Sequence, residues 1–260
     1  QAKTLFPYTT LFRSTTISIS AIASLVMFAW PLLITGTNLD QAALAQAAFI
    51  GLMPVLLLVI LIEFGSGKLD SRRLALLGLL IALNAVIRLL GAGVSGIETV
   101  FFLIIIGAFV FGSEFGFLLG AGSLFVSALL GAGVGPWLPF QMMAAGIIGV
   151  GAGLLPKSKR TWLQIGVMIL YGVIGAYVYG ALMTLWNWPF LAGVGSDVSY
   201  FAGAGVIENL SRFLNYEILT GGLLWDTGRA ITTSILIIVT APALLTTLRR
   251  AANRAGIRKF

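Results

Sequence analysis

Cysteine and histidine are both absent from the 260-residue chain. Their absence removes disulfides, Cys/His zinc or haem ligation, and any nucleophile activated by a histidine base. Charge is the next scarcity. Only 10% of residues are charged, whereas an average soluble chain carries about 25%. Too little polar surface remains to clothe a globule in water. Hydrophobic residues make up 58% of the sequence, and the mean hydropathy is +1.02. The 32 glycines point the same way, because glycine is commoner in membrane helices than in soluble ones. The composition is that of an all-α integral membrane protein.

Nucleotide and hydrolase motifs are missing as well. Gly91 to Gly96 formally matches G-x-G-x-x-G, but a dinucleotide site needs a strand before it and a βαβ unit around it. This match falls in a short connection between two apolar helices. The run Gly65-Ser66-Gly67-Lys68 is no P-loop, since Leu69 stands where Ser or Thr is required and Ile62 where the first Gly belongs. No G-x-S-x-G elbow occurs. Uphill movement of a solute by this chain would draw its energy from an ion gradient or from a partner.

Residues 1–14 are polar and aromatic, and resemble a translated sequencing adapter; they are read as a non-native leader and set aside. Beyond them, a spanning helix needs about 20 mostly apolar residues. Long apolar runs occupy 16–35, 41–64, 74–90, 162–186 and 230–248, with shorter ones at 99–112, 116–130 and 138–155. The stretch from 99 to 130 is divided where Gly112, Ser113, Glu114 and Gly116 interrupt it, giving eight expected spans. Eleven basic residues then fall on one side: Lys68, Arg72, Arg73, Lys157, Lys159, Arg160, Arg249, Arg250, Arg254, Arg258 and Lys259. The opposite connections hold only Arg212 and Arg229. By the positive-inside rule, both termini are expected in the cytoplasm. The basic tail, 251–260, needs no nucleic acid to explain it, because anionic headgroups suffice.

Polar groups within spans are costly and commonly face a cavity or another helix. Asn84 and Arg88 lie four apart near the outer end of the 74–90 helix, and Glu98 opens the next, followed by Phe101 and Phe102. Trp137 and Gln141 follow Gly135-Pro136, while Tyr179 and Trp186 end the 162–186 helix and Asp226 with Arg229 begin the last. All fall on the expected outer side. Two readings stay open: an outward pocket, or belt aromatics, snorkelling arginine, surface ion pairs and interhelical hydrogen bonds. On the cytoplasmic half, Ala75, Gly78, Ala82 and Ala85 form a stripe of small residues, which permits close helix approach in lipid.

The segments Ala75 to Arg88, Gly96 to Gly120, Gly133 to Pro156 and Leu224 to Ala230 resemble the substrate-binding S component of energy-coupling factor (ECF) vitamin transporters. The likeness runs over about 74–250. It implies a six-helix substrate-binding core with cytoplasmic termini, to which 15–64 adds an N-terminal hairpin. It also implies capture of a vitamin or related micronutrient, with a cobalamin-like molecule as one candidate, in an outward pocket of a prokaryotic plasma membrane protein. A transmembrane coupling subunit and two ABC-type ATPases would supply the energy, so ATP would be hydrolysed by partners and no cofactor held by this chain. The Gly78-x-x-x-Ala82 pair stands in place of the Ala-x-x-x-Ala docking face of such proteins. Substrate-binding residues on this reading are Asn84, Arg88, Glu98, Phe102, Trp137, Gln141, Tyr179, Trp186, Asp226 and Arg229. Two competing classes are a stand-alone ion-coupled carrier, opposed by the lack of a mid-membrane carboxylate, and a non-transporting scaffold, for which polar groups would scatter over both sides.

Overall fold

The structure is a computed structural model that describes residues 19–33, 39–65, 71–91, 96–191 and 196–254. The leader 1–14, the residues 92–95 of the glycine motif, Lys68 and the last six residues of the tail lie outside the described residues. Among those described, secondary structure is entirely helical. The helices are α1 (Ile19–Phe28), α2 (Trp30–Leu33), α3 (Leu39–Gly65), α4 (Ser71–Leu90), α5 (Phe101–Phe111), α6 (Ser113–Ser127), α7 (Leu138–Gly153), α8 (Thr161–Leu185), α9 (Trp188–Leu191), α10 (Val206–Leu219) and α11 (Gly222–Arg254). With the π-helical turn Ala128–Ala132 added to α6, four helices are long and apolar enough to cross a membrane: α4, α6, α8 and α11. The other apolar segments, in α1, α3, α5 and α7, are shorter.

One of these shorter helices, α5, lies at the centre of the bundle. Helix α5 is apolar on every face, and Phe101 through Val110 are all buried. Such a helix can only be a core element. Its 11 residues reach about 16 Å at 1.5 Å each, roughly half of a 30 Å hydrocarbon layer. Gly112, at φ 99°, occupies the left-handed region that L side chains avoid and turns the chain into α6. The expected division at Gly112 is thus a real helix break. Helices α5 and α6 run antiparallel, with the Phe111 and Phe115 rings 4.4 Å apart and Gly107 close against Leu119.

Helix α6 in turn meets α7 backbone to backbone. A Cβ on Gly116 would collide with the Gly149 carbonyl, one on Gly120 with the Ala145 carbonyl, and one on Gly153 with Ser113. Helices α8 and α11 close the other side of α5, with Gly172 against Thr233 and Ile105. Helix α4 lies parallel to α6, because Asn84 pairs with Ser123 and Arg88 with Ser127, four residues further along both helices. The N-terminal helices are tied to this core near the ends of α7 and α8: Trp30 donates its indole N–H to the Trp186 carbonyl at 2.7 Å, and Phe28 stands edge-on to Phe140 at 5.4 Å.

Three features depart from the sequence reading. The apolar run 16–35 is not one helix: α1 ends at Phe28 and a separate turn begins at Trp30, next to Pro31, which cannot donate to the preceding turn. The outer connection over 187–229, expected from its lack of a long apolar run to be a loop, contains the 14-residue α10. Ala85 is fully buried, so it stands apart from the exposed stripe of Ala75, Gly78 and Ala82.

Topology sorts the charges. The start of α4, the α7–α8 link and the end of α11 meet at one end, where Arg72 donates to the Arg254 carbonyl at 3.1 Å and Arg249 to Gln164. The opposite end carries Arg88, Arg212 and Arg229, each on a carboxylate.

The backbone contact predicts its own sensitivity. Gly116→Leu should lower the stability of the purified chain by about 3 kcal/mol or more, since overpacking here meets backbone and not a movable side chain. Gly78→Leu, with nothing within 4 Å of its Cβ, should change stability by no more than about 0.5 kcal/mol. Equal unfolding temperatures for the two variants in detergent would refute this account of α6–α7 packing.

Candidate functional site

The end opposite the basic cluster is assembled by a second close approach. Gly96, at φ 74°, leads into α5, and a Cβ on it would stand 3.1 Å from the Gly228 Cα of α11. That contact brings Glu98 toward the first turns of α11. Glu98 accepts from Arg88 Nε at 3.3 Å, and Arg88 also donates to Ser127 Oγ at 2.9 Å. One turn deeper, buried Asn84 donates to the Val100 carbonyl at 3.1 Å and to Ser123 Oγ at 3.0 Å. These bonds stitch α4 to α6 and to the start of α5. They give partners to donors that would otherwise be costly in an apolar interior, although the buried Asn84 Oδ1 has none.

Tyr179 of α8 stands between this network and α11. Its ring meets Phe101 edge-on at 4.8 Å, and the Arg229 guanidinium lies 5.0 Å from its centroid. Arg229 also donates to the Ala176 carbonyl at 3.1 Å and to the buried carboxylate of Asp226. The position of Asp226 depends on Gly180, because any Cβ there would overlap both carboxylate oxygens.

Above this ion pair opens a cleft of about 320 Å³ between α8, α10 and α11, lined among others by Thr184, Tyr216, Thr220, Trp225, Asp226 and Arg229. Glu217 does not line it but lies buried behind the lining residue Gly222. Its carboxylate abuts Gly222, which has no room for a side chain, and the residue is only 4% exposed. Oxygen Oε1 has no hydrogen-bond partner. Burial pushes the Glu217 carboxyl above the usual range and Asp226 adds to the rise, while a hydrogen bond from Thr184 and the charge of Arg229 oppose it.

The predicted site residues therefore divide. Asp226 and Arg229 line the cleft, with Tyr179 beneath them. Asn84, Arg88 and Glu98 form the adjoining network and do not line it. Phe102 is buried in the core. Trp186 is also buried, stacked on Phe140 at 4.1 Å, so it acts as a packing residue. Trp137 is 43% exposed and curls over Gly135, while Gln141 sits partly buried in the first turns of α7. The expectation of one cavity lined by all of these gives way to two neighbouring clusters, with Trp137 at the surface.

Among the residues lining the cleft, sequence reasoning missed Thr184, Tyr216, Thr220 and Trp225. The signal lay in α10, whose face at Asn209, Phe213 and Glu217 is buried while Ile207, Leu210, Leu214 and Ile218 are exposed. Polar residues turned inward and an apolar stripe outward is the reverse of a soluble amphipathic helix.

A family model described as the substrate-specific component of ECF transporters matches residues 72–251, more than half of the chain. The protein belongs to this family. No curated protein and no solved structure matches it. As an S component it is a multi-pass membrane protein that binds substrate for a transporter and is not an enzyme. The matched region begins at α4 and ends within α11, so α1–α3 lie before it.

The raised carboxyl of Glu217 yields a pH signature. A group whose folded pKa exceeds its unfolded value costs stability as pH rises from the ordinary carboxylate range through the folded pKa. Glu217→Gln removes that cost. The ligand-free variant should be more stable than the parent at neutral pH, and the difference should vanish in acid, below the ordinary carboxylate range. Melting curves across pH that stay parallel would show that Glu217 is as well solvated in the fold as out of it.

Proposed function

We propose that this S component captures a compact vitamin or related micronutrient in the cleft between α8, α10 and α11, facing the outside of a prokaryotic plasma membrane. The observation that carries this reading is the cleft itself, with a buried Asp226–Arg229 pair at its base at the end remote from the basic residues. Small-molecule sites are concave and mostly apolar, with a few fixed polar groups. A rigid ion pair held by the Ala176 carbonyl and the Tyr179 ring suits that role, because its geometry is set before ligand arrives. The volume of about 320 Å³ lies near the lower end of the usual range of about 300–1,000 Å³. This supports a small ring-bearing molecule over a cobalamin-like one.

Orientation follows from charge. Basic residues retained at one end, against arginines that each meet a carboxylate at the other, support cytoplasmic termini, with the eight apolar segments running alternately outward and inward and α5 reaching only part of the way across. In this reading α1 and α3 are an added hairpin and 74–250 the substrate-binding core. Energy comes from a transmembrane coupling subunit and its ATPases. The exposed Ala75, Gly78 and Ala82 face of α4 is the docking surface, for small residues let a partner helix approach closely.

Two results test the proposal. Thr184→Trp, which fills the cleft from α8, should abolish equilibrium binding of the vitamin that the parent retains through purification, without loss of the folded state. Unchanged binding by that variant would remove the cleft from consideration. Separately, the double variant Gly78→Leu and Ala82→Leu should bind vitamin normally yet co-purify poorly with the coupling subunit. A full yield of complex would mean that this face meets only lipid.

A further inference from the structure

Helices α1–α3 precede the region matched by the family model, yet a line of rings joins them to the cleft. Trp30 opens α2 and is fully buried. Its ring lies 6.1 Å from Phe49 of α3 and 6.4 Å from Tyr200. Tyr200 stands edge-on to Trp188 of α9 at 5.8 Å, and Trp188 edge-on to Phe213 of α10 at 5.5 Å. Trp188 is fully buried too, and donates its indole N–H to the Val198 carbonyl at 3.0 Å. Two hydrogen bonds fasten the near end of this line to the end of α8. Trp30 donates to the Trp186 carbonyl, and Gln46 Nε2 to Asn187 Oδ1 at 2.8 Å. At the far end, Asn209 of α10 accepts from the Phe201 N–H at 3.0 Å and donates to the Phe201 carbonyl at 3.1 Å.

We infer that α1–α3 act as a brace for the capture site: through Trp30 and this line of rings they hold α10 in place as a cleft wall and so retain the ligand. The inference rests on the cleft being the capture site. Helix α10 supplies Tyr216 and Thr220 to the cleft, so any displacement of α10 reshapes the wall. Its outer face holds it to nothing in the chain, since Ile207, Leu214 and Ile218 are exposed. Gly203 at φ 88° and Gly221 at φ 84° stand on either side of it, and glycine adopts such values without strain. A helix between two such joints is positioned by what packs on its inner face. Phe213, one of the buried residues there, rests on Trp188. Edge-on aromatic pairs fix orientation as well as burying area. Trp30 itself is no belt anchor: a tryptophan at the membrane rim keeps one end wet, whereas Trp30 is enclosed and aims its N–H at the main chain.

The lack of cysteine lets the brace be tested without knowing the ligand. Thr184→Cys places one thiol in the cleft. Thr233→Cys places one in the fully buried seam between α11 and α8. Each purified full chain, in lipid nanodiscs, is alkylated with fluorescein maleimide, a reagent larger than the cleft. Adding Trp30→Ala should raise the rate at position 184 about tenfold or more, while position 233 stays unreactive. Trp30→Phe, which keeps a ring and loses the indole donor, should raise it about threefold. Leu52→Ala, on the exposed face of α3, should change neither rate. The vitamin that the parent retains through purification should leave the Trp30→Ala chain about tenfold faster. An unchanged rate at position 184, or an equal rise at position 233 in both Trp30 variants, would overturn the inference. Faster labelling with unaltered vitamin release would overturn it too, and if Thr184→Trp still abolished binding, the cleft would stand as the capture site. Vitamin binding indifferent to Thr184→Trp would instead remove the capture site, and the inference with it.

Discussion

Helices in lipid gain little from burying apolar side chains against one another, because acyl chains are equally apolar; contact density and polar bonds must hold them together. In this chain the densest contact is the meeting of the α6 and α7 backbones, where Gly116 and Gly120 face Gly149 and Ala145. Everything else is arranged around it. Because α6 and α7 touch so closely, the short α5 can be walled in by them on one side and by α8 and α11 on the other. An 11-residue helix too short to cross a bilayer alone then becomes the centre of the bundle. Its length also fixes where the outer cluster forms: Phe101 opens α5 at the level of Tyr179, and the chain ahead of it is drawn onto α11 at Gly228.

The polar end follows from that geometry. Two ion pairs and a buried asparagine would be unaffordable against lipid, yet here each is bonded from two or three directions. Their value is in orientation more than in net stability, since a buried pair seldom gains much over apolar packing. The Arg88–Glu98 pair fixes α4 against the entry to α5. The Asp226–Arg229 pair fixes α11 against α8 at the base of the cleft. Helix α10 then covers one wall with its inward polar face, leaving Ile207, Leu214 and Ile218 outward, as suits a helix that rests at a membrane interface.

Much of this was legible in the residues. Apolar run length gave the long helices in order but neither α10 nor the break after Phe28, and the break at Gly112 was visible as a cluster of glycine and charge. The segregation of basic residues was visible as well, and the structure gathers them at one end. Other features could not be read. The stripe at Gly78 and Ala82 looked like a packing face, but it lies exposed, whereas the tightest small-residue contact uses Gly116 and Gly149. Both stripes have the same spacing, and spacing does not say which face meets a neighbour. Trp186 looked like a site aromatic and is instead buried and stacked on Phe140, with its backbone carbonyl accepting the Trp30 indole N–H.

By itself the sequence determined that this chain is built of apolar membrane helices and at which end its basic residues gather, and its motifs carried the resemblance to a substrate-binding subunit. Composition and run length suffice for the first two, since the bilayer imposes one dimension that every span must obey. Only the tertiary structure decided which polar groups share a cleft, that Asn84, Arg88 and Glu98 brace the fold beside it, and that α10 brings Tyr216 to it from a segment with no apolar run to announce it. Those outcomes depend on rotation about each helix axis and on contacts between distant segments. Residues adjacent in depth become partners only when their helices turn toward each other.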